Sequence, residues 1–152
     1  MIILNFVFSY VILFSVIEFD FSLTEGQERR GRFADCEFEI SHITDFLYVC
    51  GASMVSSLAS LEALGLRRIV NCSGAIIDNV FENEPGFEYM KLDMVDGKED
   101  DISWFVSDVI RFIENGRRSG LKTLVHCEKG ISRSCSFVIA HRMWHTGSKL
   151  CC

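Results

Sequence analysis

Between residues 46 and 147, short runs of β-branched and aromatic residues alternate with longer segments whose apolar positions recur every three or four residues. No other feature constrains the fold as strongly. A β-run followed by a helix and a second β-run returns the chain parallel to where it began. FLYVC (46–50), RRIVNCSG (67–74), FEYMKL (87–92) and LKTLVHC (121–127) read as strands. GASMVSSLASLEALG (51–65) places Met54, Leu58, Leu61 and Leu64 at helical spacing and predicts one helix, with Gly65 as its stop. ISWFVSDVIRFIENG (102–116) gathers Ile102, Phe105, Val106, Val109, Ile110 and Ile113 on one face, with Asp100 or Asp101 as the cap and Gly116 as the stop. SRSCSFVIAHRMWHTG (132–147) is a third helix, closing at Gly147. The expected fold class is α/β: a central, mostly parallel sheet flanked by helices.

The stretch VHCEKGISRSC (125–135) joins the last strand to the last helix through a short loop. A loop that ends at a helix N-terminus presents backbone N–H groups and the positive end of the helix dipole, which suits an anion. Gly130 permits the tight backbone turn that such a cradle needs. Arg133 falls in the first helical turn, where its charge opposes the dipole. An anionic partner accounts for it there, because the planar guanidinium can return two hydrogen bonds to one oxyanion. Cys127 stands at the base of the cradle. Helix N-termini and nearby cations lower a thiol's pKa from ~8.5 to between ~3.5 and ~7.5, which yields a nucleophilic thiolate.

A chain of 152 residues suffices for one domain with a hydrophobic core. Its net charge of −6 excludes a broad nucleic-acid-binding face, which requires a dominant basic surface. Seven cysteines, an odd number with no C-x-x-C pair, read as reduced intracellular thiols and place the chain in the cytoplasm. Residues 2–17 carry no charge, but the run is shorter than the ~20 apolar residues of a spanning helix and lacks a basic leader. Residues 1–20 therefore read as a weak anchor, an uncleaved signal, an extra buried strand or an artefact of the reading-frame start. Membrane attachment through residues 2–17 is the lesser reading. Residues 21–37 are polar and read as a linker, which leaves residues 38–152 as the domain.

Five residues separate Cys127 from Arg133, and HCEKGISRS resembles the active-site loop of the cysteine-dependent protein phosphatases, most closely the dual-specificity branch. The likeness extends over residues 40–147 through ITDFLYVCGASM, LGLRRIVNCSG, the acidic loop DMVDGKEDD and AHRMWHTG. Chain order points to the same branch, since low-molecular-weight phosphatases carry the cysteine loop near the N-terminus. The resemblance implies that Cys127 is the nucleophile and forms a cysteinyl-phosphate intermediate. It implies that Arg133 binds the equatorial oxygens, that Ser134 assists departure of the thiolate, and that His126 orients and acidifies Cys127. It further implies that the backbone of Glu128, Lys129, Gly130, Ile131 and Ser132 completes the cradle. Neither metal nor cofactor is implied. The family's aspartate general acid lies on a separate loop, and Asp96, 31 positions before Cys127, best matches that placement. Asp93 is the rival, and Asp100 or Asp101 is assigned to the helix cap.

The implied substrates are phosphotyrosine and phosphoserine/threonine in proteins, with a protein kinase among the candidate partners. Two alternatives stand beside this reading. One is a non-catalytic phosphoprotein-binding module. The other is a phosphatase of a non-protein phosphate, such as a phosphoinositide, an RNA end or a glucan. Family members continue through one or two further helices beyond the position of Gly147, so the resemblance implies an apparently truncated C-terminus. His141 and His145, at i and i+4, have the spacing of a metal pair. Without a third ligand near them in sequence, they read as surface or lightly buried residues. Trp104 and Trp144 read as core anchors.

Overall fold

In the computed structural model, residues 39–94 and 101–147 are described. Strands β1 (Ser41–Thr44), β2 (Leu47–Gly51), β3 (Leu66–Asn71), β4 (Glu88–Lys91) and β5 (Lys122–Cys127) form one sheet in the order β1-β2-β5-β3-β4. β1 is antiparallel to β2, and the other neighbours are parallel. The last strand in the chain thus lies at the centre, between β2 and β3. Every residue of β2 is buried, as are all of β5 except Lys122, as expected for parallel strands covered on both faces.

Side-chain alternation divides the core in two. Leu47, Val49, Val70, Val125 and Cys127 pack against Val109 and Ile113 of α2 (Ser103–Arg118) and against Phe137 and Val138 of α3 (Arg133–Thr146). Tyr48, Cys50, Leu66, Ile69 and Leu124 point the other way, onto Leu61 of α1 (Leu58–Ala63). Gly65 and Gly147 end their helices at φ +69° and +66°, the left-handed conformation that a stop requires. Asp101 caps α2 by accepting the Ser103 N–H at 2.9 Å.

Four expectations need correction. The helix predicted over 51–65 is broken into a 3-10 turn (Ala52–Ser56) and α1. Ser57 breaks it, in an extended conformation (φ −105°, ψ 102°), with its hydroxyl accepting the Ser60 N–H. Such local bonding is why serine favours caps over helix interiors. β1 escaped the sequence reading because Ser41, His42 and Thr44 show no apolar alternation on this half-exposed edge strand. Gly116 does not stop α2. A Cβ there would lie 2.6 Å from Arg68 Cδ and 2.9 Å from Thr123 Oγ1, so the glycine serves the close approach of the helix to the sheet. Trp104 and Trp144 are not core anchors, being 79% and 54% exposed.

Among the described residues, no helix is long and apolar enough to cross a membrane. Residues 1–38, including the apolar segment and the linker, lie outside the described residues.

Candidate active site

Parallel sheets place ligands beyond the carboxyl ends of their strands, where the strand order reverses. Cys127 is the last residue of β5 and stands at such a point, next to the ends of β2 and β3. Its thiol is 2% exposed. Two groups converge on Sγ: the Gly130 N–H donates to it at 3.2 Å, and the Ser134 hydroxyl lies in hydrogen-bond contact, also at 3.2 Å. Both stabilise negative charge on sulfur.

Gly130 makes the loop possible. Its φ of +73° suits glycine, and a Cβ would stand 2.5 Å from Gly51 N and 2.6 Å from Cys50 C, inside the backbone of β2. The Ala52 N–H donates to Glu128 O at 3.1 Å, and the Glu128 N–H donates to Ser73 Oγ at 3.0 Å. Asn71 Oδ1 in turn accepts the Ser73 N–H at 2.9 Å. The ends of β2 and β3 therefore clamp the loop from both sides. Asn71 and Ser73 are positioning residues that the sequence reading missed. Their signal was the Asn-Cys-Ser-Gly run, there read only as the end of a strand.

Arg133 opens α3 and is 5% exposed. Its guanidinium donates to Met94 O at 3.2 Å and to Cys72 O at 3.4 Å, with the half-exposed Glu128 carboxylate 3.7 Å away. Ser132 stands at the N-cap without a side-chain hydrogen bond to the first turn. Its carbonyl accepts from the N–H and hydroxyl of Ser136 at 2.9 and 3.0 Å. Lys129 is exposed and Ile131 half-buried.

His126 is fully buried, and alternation along β5 turns its ring to the sheet face opposite the Cys127 thiol. Burial pulls its pKa down to about 4, against a smaller opposing effect of the Cys127 backbone. The imidazole is thus neutral at pH 7 and meets Cys127 through the main chain. Burial also pushes the Cys50 thiol up to about 12 and the Cys72 thiol well above its ordinary range. Both remain thiols.

Among the aspartates of the acidic loop, Asp93 is exposed and lies 3.8 Å from Lys91 Nζ. Asp101 is occupied as a cap, and its hydrogen bonds from Ser103 lower its pKa. Asp96 and Asp100 lie outside the described residues. Met94 does connect this loop to the site, because its carbonyl holds Arg133.

A buried thiol at the carboxyl edge of a parallel sheet, with an arginine heading the next helix, is an arrangement suited to an oxyanion. The profile of the dual specificity phosphatase catalytic domain matches residues 47–150. Protein-tyrosine-phosphatase MKP1 of Arabidopsis thaliana is 33% identical over 124 residues, covering 82% of this chain and 16% of that protein. Dual specificity protein phosphatase 6 of Homo sapiens is 35% identical over 101 residues, covering 66% of this chain and 26% of that protein. The crystal structure of the human tyrosine phosphatase-like serine/threonine/tyrosine-interacting protein matches with a TM-score of 0.65 at 30% identity, covering 72% of this chain and 76% of that one. The chain belongs to the dual-specificity phosphatase family. It spans about a quarter or less of the length of these two curated relatives.

Proposed function

We propose that the chain hydrolyses phosphotyrosine and phosphoserine/threonine in proteins by a two-step covalent route. The Cys127 thiolate attacks phosphorus, an S–P bond forms and the P–O bond to the substrate breaks. Asp96 gives its proton to the departing oxygen. Water then attacks phosphorus with Asp96 as base, the S–P bond breaks and inorganic phosphate leaves. Ser134 hydrogen-bonds the departing thiolate. Arg133 and the backbone of residues 128–132 hold the phosphoryl oxygens, supplying stabilisation preorganised for the charge that develops. His126 holds the end of β5 in place from the opposite face.

The observation that carries this reading is the convergence of the Gly130 N–H and the Ser134 hydroxyl on Cys127 Sγ, at 3.2 Å each. A cysteine kept only for packing has no need of two polar partners on its sulfur. Glu128 beside Arg133 adds negative charge at the rim. That favours phosphorylated side chains, a protein kinase among them, over multiply charged phosphoinositide headgroups.

Purified protein should hydrolyse an aryl phosphate in reducing buffer containing EDTA, and vanadate should inhibit it. A second reading, phosphoprotein binding without turnover, draws support from the likeness to the phosphatase-like interacting protein. Tight phosphopeptide binding with no release of phosphate by the wild-type chain would establish that reading instead.

A further inference from the structure

The other end of α3 holds a cluster that the phosphatase chemistry does not use. His141 and His145 project from successive turns of α3 onto Glu114 of α2. His141 Nε2 lies 2.9 Å from Glu114 Oε1, and His145 Nδ1 lies 3.2 Å from the same oxygen. The two rings stack, with centroids 5.6 Å apart and planes 21° off parallel. The third group that the sequence lacked near the histidines is therefore supplied by the neighbouring helix. His141 is not lightly buried, as its sequence suggested, but wholly inaccessible, while His145 keeps 32% of its side chain exposed.

We propose that Glu114, His141 and His145 form a binding site for a zinc-class divalent transition ion that ties α2 to α3. One donor atom from each residue lies within 4.8 Å of the other two. A tetrahedral zinc with bonds of ~2.0–2.1 Å separates its ligand atoms by about 3.4 Å, so the two nitrogen–oxygen distances need open by only a few tenths of an ångström. Histidines at i and i+4 on one helix face have the spacing that chelates such ions. Two imidazoles and one carboxylate suit zinc, and fit poorly with magnesium or calcium, which take oxygen ligands.

The surroundings meet two further requirements. Arg117 holds Glu114 Oε2 at 2.8 Å, which fixes the carboxylate and leaves Oε1 to the histidines. It also puts a positive charge near the ion. A groove of about 460 Å³, lined by Val106, Ile110, Glu114, Arg118 and Trp144 among others, borders the cluster at Glu114. His141 Nδ1 is buried with no hydrogen-bond partner among the described residues. Metal-binding histidines anchor that second nitrogen, and losing such an anchor typically weakens binding about 10- to 100-fold. The site should therefore bind zinc reversibly rather than as a permanent structural metal.

The test must separate this cluster from the thiols. Zinc alone is titrated into the 152-residue Cys127→Ser chain by calorimetry, with Tm followed in parallel. One ion per chain should bind, and zinc but not magnesium should raise Tm. Cobalt(II) should give visible bands of tetrahedral intensity without a thiolate-to-metal charge-transfer band. His145→Ala, at a partly exposed position, should lower zinc affinity at least 100-fold and abolish the Tm rise. Its metal-free circular dichroism reports whether it folds, and His145→Gln carries the same criterion if it does not. Unchanged zinc affinity in the folded variant, a thiolate band with cobalt, or no saturable binding each overturns the proposal.

Discussion

The two ends of α3 are built by opposite rules. At its N-terminus a candidate site is made from one continuous stretch, with a glycine N–H and a serine hydroxyl on Cys127 Sγ and Arg133 opening the helix, all within eight residues. At its C-terminus a cluster is made across 27 and 31 residues of sequence, from the carboxylate of one helix and two imidazoles of another. The first is fixed by backbone geometry, the second by how α2 packs on α3. Local sites are therefore visible in a sequence, whereas sites across helices appear only once the packing is known.

The largest test of this contrast is Cys127→Ser. A hydroxyl at neutral pH is a far weaker nucleophile than a thiolate, so turnover should fall to the uncatalysed background. Phosphopeptide binding should persist, because Gly130, Arg133 and the clamped loop are unchanged. Phosphate release measured beside phosphopeptide affinity checks both. Turnover retained by the serine variant would break the assignment of the N-terminal end.

Next in size is the general acid. A positioned acid typically contributes ~10²–10⁴-fold to rate. Tyrosine is a better leaving group than the alcohols of serine and threonine, so it needs protonation less. Asp96→Asn should slow phosphoserine and phosphothreonine peptides by about that factor, phosphotyrosine less, and activated aryl phosphates hardly at all. Asp93→Asn serves as the comparison. Its carboxylate is exposed and paired loosely with Lys91, so the change should leave these rates nearly intact. The reverse ranking would move the acid to Asp93.

Legibility in the sequence followed the range of the interactions. The parallel strands, the third helix and the whole cysteine loop were readable because period, cap and glycine each act over a few residues. Gly116 was misread because a helical glycine reads alike whether it ends a helix or admits a neighbour. Only Arg68 and Thr123, brought from two strands, decide which. β1 was missed because an edge strand need not alternate. Asn71 and Ser73 were read only as the end of a strand because their partners, the loop of residue 128 and the segment around residues 77–79, lie outside any local window.

His126 sharpens the comparison through pH. Burial holds its folded pKa near 4, against an ordinary value of 6.5. As pH falls from 7, the unfolded chain takes up this proton near 6.5, while the folded chain resists until about 4. Between those values the unfolded state binds more protons, so stability must fall on acidification. The loss from this group is about 2 kcal/mol between pH 7 and pH 5 and approaches about 3 kcal/mol near pH 4. Urea midpoints at the two pH values measure it. In His126→Gln the pH dependence should flatten over this window, whatever the substitution does to stability at pH 7. An equally steep dependence in the variant would assign the effect to other groups.

The smallest expected effect belongs to Trp104, near the start of α2 and outside both sites. As a core anchor it would lose ~3–5 kcal/mol on truncation. At 79% exposure it keeps little of that contribution, and Trp104→Gln should change stability by no more than about 0.5 kcal/mol. Trp144 differs in degree. It lines the groove beside Glu114, and its ring centroid lies 6.4 Å from that of His141, so it shelters the histidine end of α3. Trp144→Gln should therefore cost more than Trp104→Gln and should weaken zinc binding, which Trp104→Gln should leave untouched. Urea unfolding of the two variants, with and without zinc, measures the difference. Equal effects would mean that the tryptophan beside the cluster has no part in sheltering it. A loss of several kcal/mol at Trp104 would mean that the residue is buried after all, and that the reading from sequence was right there.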